Sequence, residues 1–319
     1  MNRIIVLCAL PGAGKSYHAQ KLYEEAIASG TNARIFSSDA IRGELYGDES
    51  IVGNSNEVFT LLEKRLIDFI EANPNATAIY DATNLTAKTR KGLINRLKRA
   101  RTVCYFECHF IACRLSVCKS RQLTRDRKVP EEVIERMVRS FQAPFYNEGW
   151  DEIIIVEGGK LYDLPEEHVD CWDISHDNHH HALSIGAHMA EARREAIRLV
   201  NELGYGSAAI EASYHHDIGK PHSKSFTNMK GEPTPEAHYY SHESISAYMW
   251  LSSRHDHEFD TIKVLIGALI QWHMMPYFLA PKGQAATKEE LTAWCSKHGF
   301  TEQFAEQLWV VHQADQEAH

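Results

Sequence analysis

Residues 3–16 read RIIVLCALPGAGKS, and the order of residue types in that stretch decides how the first half of the chain folds. RIIVLCAL is an unbroken apolar run, the pattern of a strand buried on both faces. PGAGKS then turns the chain with two glycines, and residues 17–29 continue as an amphipathic helix. Strand, glycine-rich loop and helix together form the setting in which backbone N–H groups close on phosphate oxygens and a helix N-terminus adds partial positive charge. Gly12, Ala13, Gly14, Lys15, Ser16 and Tyr17 are the candidates for nucleotide contact. Lys15 would reach the β- and γ-phosphates of ATP, and Ser16 would ligate its Mg2+. Ala9 stands where such loops usually begin with glycine, a departure that a negative φ tolerates.

Two further stretches repeat the strand-to-turn logic. ARIFSSDAIR (33–42) ends a strand near Phe36 or Ser37 and opens a helix with Asp39 and Arg42 on one face, where an acceptor hydroxyl would lie. TAIYDATN (77–84) brings Asp81, Thr83 and Asn84 to the same sheet edge, with Asp81 placed to help hold Mg2+. Downstream, residues 88–101 (KTRKGLINRLKRAR) hold seven basic residues and no acidic one, a solvated face or a nucleic-acid contact. The cysteines of CYFECHFIAC (104–113) alternate along a strand and suit small buried hydrophobes better than a zinc knuckle. Arg121, Arg125 and Arg127 precede Pro130 and an amphipathic helix, the layout of an arginine-bearing lid over a triphosphate.

With 319 residues, 44% of them hydrophobic and 24% charged, the chain suits a globular protein of two domains. No apolar run approaches the roughly 20 residues that span a bilayer, and no membrane partner is expected. Seven cysteines without an export signal suggest a reducing cytoplasm. The net charge of −9 is unevenly spread. Residues 1–150 carry 22 Lys and Arg against 17 Asp and Glu, a balance of +5, leaving 12 against 26, or −14, for the remainder. Seventeen of the 19 histidines lie at or beyond His168. The shift in composition places the boundary in the polar connector GGKLYDLPEEHVD.

PGAGKS, SSDAIR, YDATNL and RQLTRDRKVP, in that order and spacing, resemble the phage-type 5′-hydroxyl polynucleotide kinases over roughly residues 1–158. The resemblance implies an α/β domain with a parallel sheet flanked by helices. It also implies Asp39 as general base on a 5′-OH, Arg42 at the acceptor end, and Arg125 on the donor phosphates. P-loop kinases of small metabolites share much of this pattern.

The second half is read from histidines. The stretch from DISHDNHHHALSIGAHMAEARREAIRLVNEL carries His188, and HHDIGK (215–220) carries His216 and Asp217. His242, His273 and Asp315 follow on three more helical segments. Imidazoles with carboxylates form a ligand set for Mn, Ni, Co, Zn or Fe. The series resembles the HD phosphohydrolase superfamily over roughly residues 172–319, which implies an all-α domain. The resemblance implies a first metal on His188, His216, Asp217 and Asp315, and a second on Asp217, His242 and His273, with Lys220 on substrate phosphate. His181, His215, His238 and His312 are nearby alternates.

The expected layout is therefore a P-loop kinase domain in 1–158, a linker in 159–171 and an HD domain in 172–319. A kinase for 5′-OH ends joined to an esterase for 2′,3′-cyclic phosphate or 2′- and 3′-phosphate ends describes an enzyme that heals broken RNA or DNA for a ligase. A nucleotide-salvage pairing of a small-molecule kinase with an HD nucleotidase is the alternative. A nucleotide-sensing regulator with a structural histidine cluster is a third.

Overall fold

The computed structural model describes residues 1–100, 102–125, 128–158, 171, 173–178, 182–204, 206–253, 259–281 and 284–318. The chain divides into two compact units, one of residues 1–137 with 144–164, the other of residues 138–143 with 165–319. Most of the expected linker lies outside the described residues, as does Arg127.

The first unit is a parallel sheet with helices. β1 (Asn2–Cys8), β2 (Ala33–Ser37), β3 (Thr77–Asp81), β4 (Cys104–Ala112) and β5 (Glu152–Glu157) are ordered β2-β3-β1-β4-β5. Every residue of β3, and all of β1 except Arg3, is buried, which explains their unbroken apolar runs. α1 (Lys15–Ala28), α2 (Ser38–Tyr46), α3 (Ser55–Ala72), α4 (Ala87–Leu97) and α5 (Leu115–Leu123) follow in chain order. Ala19 and Leu22 of α1 pack on Ile5, Leu7 and Ile79 of the sheet. Because β1 lies between β3 and β4, its C-terminal end is the crevice in which such sheets bind ligands. Its neighbour β3 delivers Asp81 there, and β2 delivers the start of α2.

The basic run on α4 is less available than its sequence suggests. Arg90 is fully buried and forks onto Glu148 at 2.6 and 2.7 Å, while donating to the Asn84 carbonyl at 2.9 Å. Arg96 is paired with Glu63. The buried Arg90 guanidinium therefore cannot face a phosphate backbone, whereas Arg96, paired but half exposed, still reaches the surface. α6 (Glu131–Arg139) starts directly after Pro130, as expected, and Ile134 and Val138 are buried.

The second unit is helical: α7 (Ile185–Leu203), α8 (Ser207–His215), α9 (Lys220–Ser223), α10 (His242–Ser252), α11 (Asp260–Trp272), α12 (Met275–Leu279), α13 (Lys288–Lys297) and α14 (Glu302–Glu317). The all-α expectation needs correction, because β6 (Ser225–Thr227) and β7 (Pro233–His238) form an antiparallel hairpin. Two prolines and two glutamates in Glu232–Glu236, with few apolar residues around them, hide the strand pattern. Residues 138–143 belong to this unit: Phe141 meets Tyr248 edge-on at 5.3 Å and Ala143 N–H donates to Gln271. One stretch, Asp260–Leu279, is apolar enough to match a membrane span, with mean hydropathy 1.3, contrary to the sequence expectation. Half of it is buried in the unit and it breaks at His273, so it reads as a core helix pair.

The Arg90–Glu148 pair yields a stability test. Glu148→Ala leaves a guanidinium buried without its partner, and denaturant unfolding should show a loss of about 3–5 kcal/mol in the first unit. An effect within experimental error would mean that the pair is not a structural strut.

Candidate functional site

The phosphate-binding loop has the geometry its sequence implies. Gly12 (φ +88°) and Gly14 (φ +104°) both occupy the left-handed region, and Gly14 precedes α1 directly. A Cβ on Gly12 would sit 2.6 Å from the Cys118 carbonyl, so only glycine lets the loop pass α5. Ser16 Oγ donates to Asp81 Oδ2 at 3.1 Å, which brings a hydroxyl and a carboxylate together at the expected Mg2+ position. Burial raises the Asp81 carboxyl above its usual range, with Lys15 opposing. Burial likewise lowers the Lys15 ammonium. Asp81 and Asp39 act against that shift and Arg125 acts with it, so these charges share one field.

Asp39 and Arg42 form a 2.7 Å ion pair on α2, as their three-residue spacing requires. The helix is capped by Ser37, whose Oγ accepts from Ala40 N–H. Arg125 is exposed, and so is Tyr17, at 81%. Two expectations change. Arg121 donates to the carbonyls of Gly12 and Gly158 at 3.0 and 2.8 Å, so it braces the loop rather than serving as a lid. Asn84 is buried with φ +47° and donates to the Leu7 carbonyl, which ties β3's exit to β1. None of the seven cysteines forms a disulfide, and among the described residues none belongs to a cluster of metal-ligand type.

In the helical unit six predicted residues meet. α7 carries His188, the turn after α8 carries His216 and Asp217, α10 opens with His242, His273 follows α11, and α14 carries Asp315. The ligand atoms of His188, His216 and Asp315 all lie within 4.8 Å of one another, as do those of His216, Asp217 and His273. His242 Nε2 joins them, 3.3 Å from Asp217 Oδ1 and 3.2 Å from His273 Nε2. Gly219 makes this convergence sterically feasible. A Cβ there would fall 2.6 Å from Ser246 N and 2.7 Å from the His242 carbonyl, closing the gap through which α10 approaches.

The protonation pattern favours a cation. Each of the four imidazoles has Nδ1 against a backbone carbonyl: His188 on Ala318, His216 on Ser213, His242 on Tyr239 and His273 on Ile270, all at 2.7–2.8 Å. A neutral ring so placed carries its proton on Nδ1 and presents a lone pair at Nε2. Yet the Nε2 atoms of His188 and His216 lie 3.3 Å apart. Asp217 is 1% exposed, and neither of its oxygens accepts a hydrogen bond of good geometry among the described residues. Four lone pairs and two carboxylates in a buried pocket fit a divalent metal, with carbonyls fixing the ligating tautomer from behind. Burial lowers the His216 imidazole, but Asp217 and Asp315 outweigh it and push it up to about 10. Burial and the neighbouring His216 and His242 push His273 down to about 3. The Asp217 and Asp315 carboxyls are held well below their usual range, because their histidine neighbours, with Lys220 beside Asp217, outweigh burial.

Lys220 differs from expectation. It is 5% exposed, its Nζ lying 2.5 Å from Asp217 Oδ2 and 3.3 Å from His176 Nε2. In this arrangement it neutralises Asp217 rather than facing a substrate. His176, buried with Nδ1 against the Leu183 carbonyl, is a participant that sequence reasoning missed. It stands in the histidine-dense stretch SHDNHHH, whose spacing singles out no one member. Tyr277, whose Oη donates to Asp315 Oδ2 at 3.4 Å, is a second. Of the alternates, His215 packs on Trp250, His238 stacks on Tyr240, His312 lies against Tyr277, and His181 is outside the described residues.

A family model described as an AAA domain matches residues 4–144. The L-seryl-tRNA(Sec) kinase of Methanococcus maripaludis is 24% identical over 158 residues, a match covering 46% of this chain and 56% of that protein. The chain thus spans about half the length of this curated relative. Among solved structures, Chaetomium thermophilum Kti12 in complex with ADP-AlF3 aligns with TM-score 0.38 and 21% identity, over 51% of this chain and 91% of that one. A gluconokinase from Sinorhizobium meliloti 1021 aligns with TM-score 0.33 and 15% identity, over 49% and 82%. The matched region falls within the first unit, which carries the parallel sheet and the glycine-rich loop ahead of α1.

Gly219→Ala tests how the histidine cluster is assembled. The added methyl should push α10 away and lower occupancy of added Mn2+ by ten-fold or more, while circular dichroism keeps its helical signal. Unchanged Mn2+ binding would show that the close approach at Gly219 is not needed.

Proposed function

We propose that the chain heals nucleic-acid ends, phosphorylating a 5′-OH in its first unit and hydrolysing 2′,3′-cyclic phosphate or 2′- and 3′-phosphate ends in its second. The observation that carries this reading is the convergence of His188, His216, Asp217, His242, His273 and Asp315 in a chain that also presents a phosphate-binding loop. Neither half alone would suggest end repair. A chain able both to add and to remove phosphate has a use for both at one break, where one end carries 5′-OH and the other a blocked 3′ terminus.

In the first unit the loop N–H groups and Lys15 bind the donor phosphates of ATP, and Ser16 and Asp81 hold Mg2+. Asp39 accepts the proton of the attacking hydroxyl, and Arg42 orients that carboxylate through their ion pair. Arg125 supplies positive charge as negative charge shifts to the leaving group. That a relative is named as a kinase of a seryl-tRNA supports an acceptor hydroxyl carried on RNA. In the second unit His188, His216, Asp217 and Asp315 would hold one divalent metal, with His242 and His273 completing a second place beside Asp217. A metal there makes water a better nucleophile and offsets the charge of the phosphate. The backbone carbonyls behind each ring keep Nε2 directed inward, and Lys220 keeps Asp217 ionised. A ligase that joins the healed ends is the partner this reading predicts.

The test uses one oligonucleotide with a 5′-OH, supplied with ATP and Mg2+, and another ending in a 2′,3′-cyclic phosphate, supplied with Mn2+, Ni2+ or Co2+. Lys15→Ala should cut 5′ phosphorylation by about 10²–10³-fold, the scale of removing one preorganised charge, and spare the 3′ reaction. Asp217→Ala should do the reverse. If neither oligonucleotide reacts while mononucleosides and nucleotides do, nucleotide salvage replaces end healing.

A further inference from the structure

The segment that links the hairpin to the ligand His242 has a pattern that metal binding does not use. Tyr239 turns inward: its Oη donates to the His176 carbonyl, its ring lies 5.5 Å from Lys220 Nζ, and its carbonyl accepts from His242 Nδ1 at 2.8 Å. Its neighbours are His238, the last residue of β7, and Tyr240, in the turn that leads to α10. The rings of these two neighbours stack on each other, parallel to within 10° with centroids 5.3 Å apart. Tyr240 is 36% exposed. The Nε2 of His238 is buried and has no hydrogen-bond partner among the described residues, so on that side the stack holds the ring.

We propose that the His238–Tyr240 stack is a platform for the nucleobase of the nucleotide whose phosphate enters the histidine–aspartate cluster, the base adding a third layer on Tyr240. The proposal rests on the phosphoesterase reading for what occupies the cluster. Position favours it, since Tyr240 is two residues from His242 and an extended chain covers at most about 7 Å over that interval. Rigidity favours it too. Arg139 donates to the carbonyls of Tyr240 and His222, both at 3.3 Å, and fixes the backbone on which the ring stands. Stacking of this kind accepts any base, which is what an enzyme acting on ends of arbitrary sequence requires.

The experiment compares a nucleoside 2′,3′-cyclic phosphate with base-free ribose 2,3-cyclic phosphate, using wild type, Tyr240→Ala and Tyr240→Phe in a Lys15→Ala background that weakens nucleotide binding at the first site. Tyr240→Ala should raise KM for the nucleoside substrate about ten-fold, the scale of one base–aromatic stack, leaving kcat and the base-free substrate nearly unchanged. Tyr240→Phe should restore the KM. Calorimetric binding of a nucleoside 3′-monophosphate and of ribose 3-phosphate, on the same three proteins, reads the platform without turnover. Tighter binding of the nucleoside compound, lost in Tyr240→Ala, supports the platform even if neither cyclic phosphate is hydrolysed, an outcome that would overturn the phosphoesterase reading instead. Equal affinity for the two compounds in the Tyr240-containing protein, or equal losses on both in Tyr240→Ala, overturns the platform.

Discussion

Imidazole lone pairs repel one another in a buried pocket unless a cation stands among them. The helical unit accepts that penalty deliberately in its architecture. Three helices and two turns meet at one point, and each histidine is oriented by a backbone carbonyl so that Nε2 faces the others. Two aspartates with well-lowered pKa values face the same point. Burying such a group of ionisable side chains is costly without a positive charge to satisfy them. The raised pKa of His216 shows the same demand being met by a proton. A divalent cation would meet it with the geometry that carboxylates and imidazoles prefer.

The first unit solves a different problem, bringing separate strand ends to one phosphate cradle. The order β2-β3-β1-β4-β5 places β1 at the centre, so the loop after Cys8 has the end of β3 beside it and the end of β2 one strand further. Asp81 and Asp39 therefore enter the electrostatic environment of Lys15 although they are 66 and 24 residues from it in sequence. Arg121, recruited to two loop carbonyls, and Asn84, tied to the carbonyl of Leu7, stiffen the cradle from opposite sides.

Much of this was legible in the sequence because the signals are local. RIIVLCALPGAGKS encodes strand, loop and helix within 14 residues, and the three-residue spacing of Asp39 and Arg42 fixes their meeting. The six predicted ligands also converge: His216 and Asp217 are adjacent, His188, His242 and Asp315 lie on α7, α10 and α14, and His273 follows α11 directly. What escaped was set by tertiary contact. Arg90 looks like one basic residue among seven until Glu148, 58 residues away, is found beside it. Lys220 looks like a substrate contact until Asp217 and His176 are seen to surround its ammonium. The hairpin was hidden because Pro233 and Pro235 sit in a strand that pairs on one side only, where missing N–H groups cost little.

The claim on which the functional account turns is that the histidine–aspartate cluster holds a divalent transition metal. Elemental analysis of the protein after loading with saturating Mn2+, Ni2+ or Co2+ and removal of unbound metal, alongside His216→Ala and Asp217→Ala, addresses it most directly. The account predicts one to two metal equivalents per chain in the wild type and loss of most of that metal in both variants, each retaining its helical circular dichroism. A wild type that stays metal-free at saturating metal, or variants that bind as much as the wild type, would contradict it.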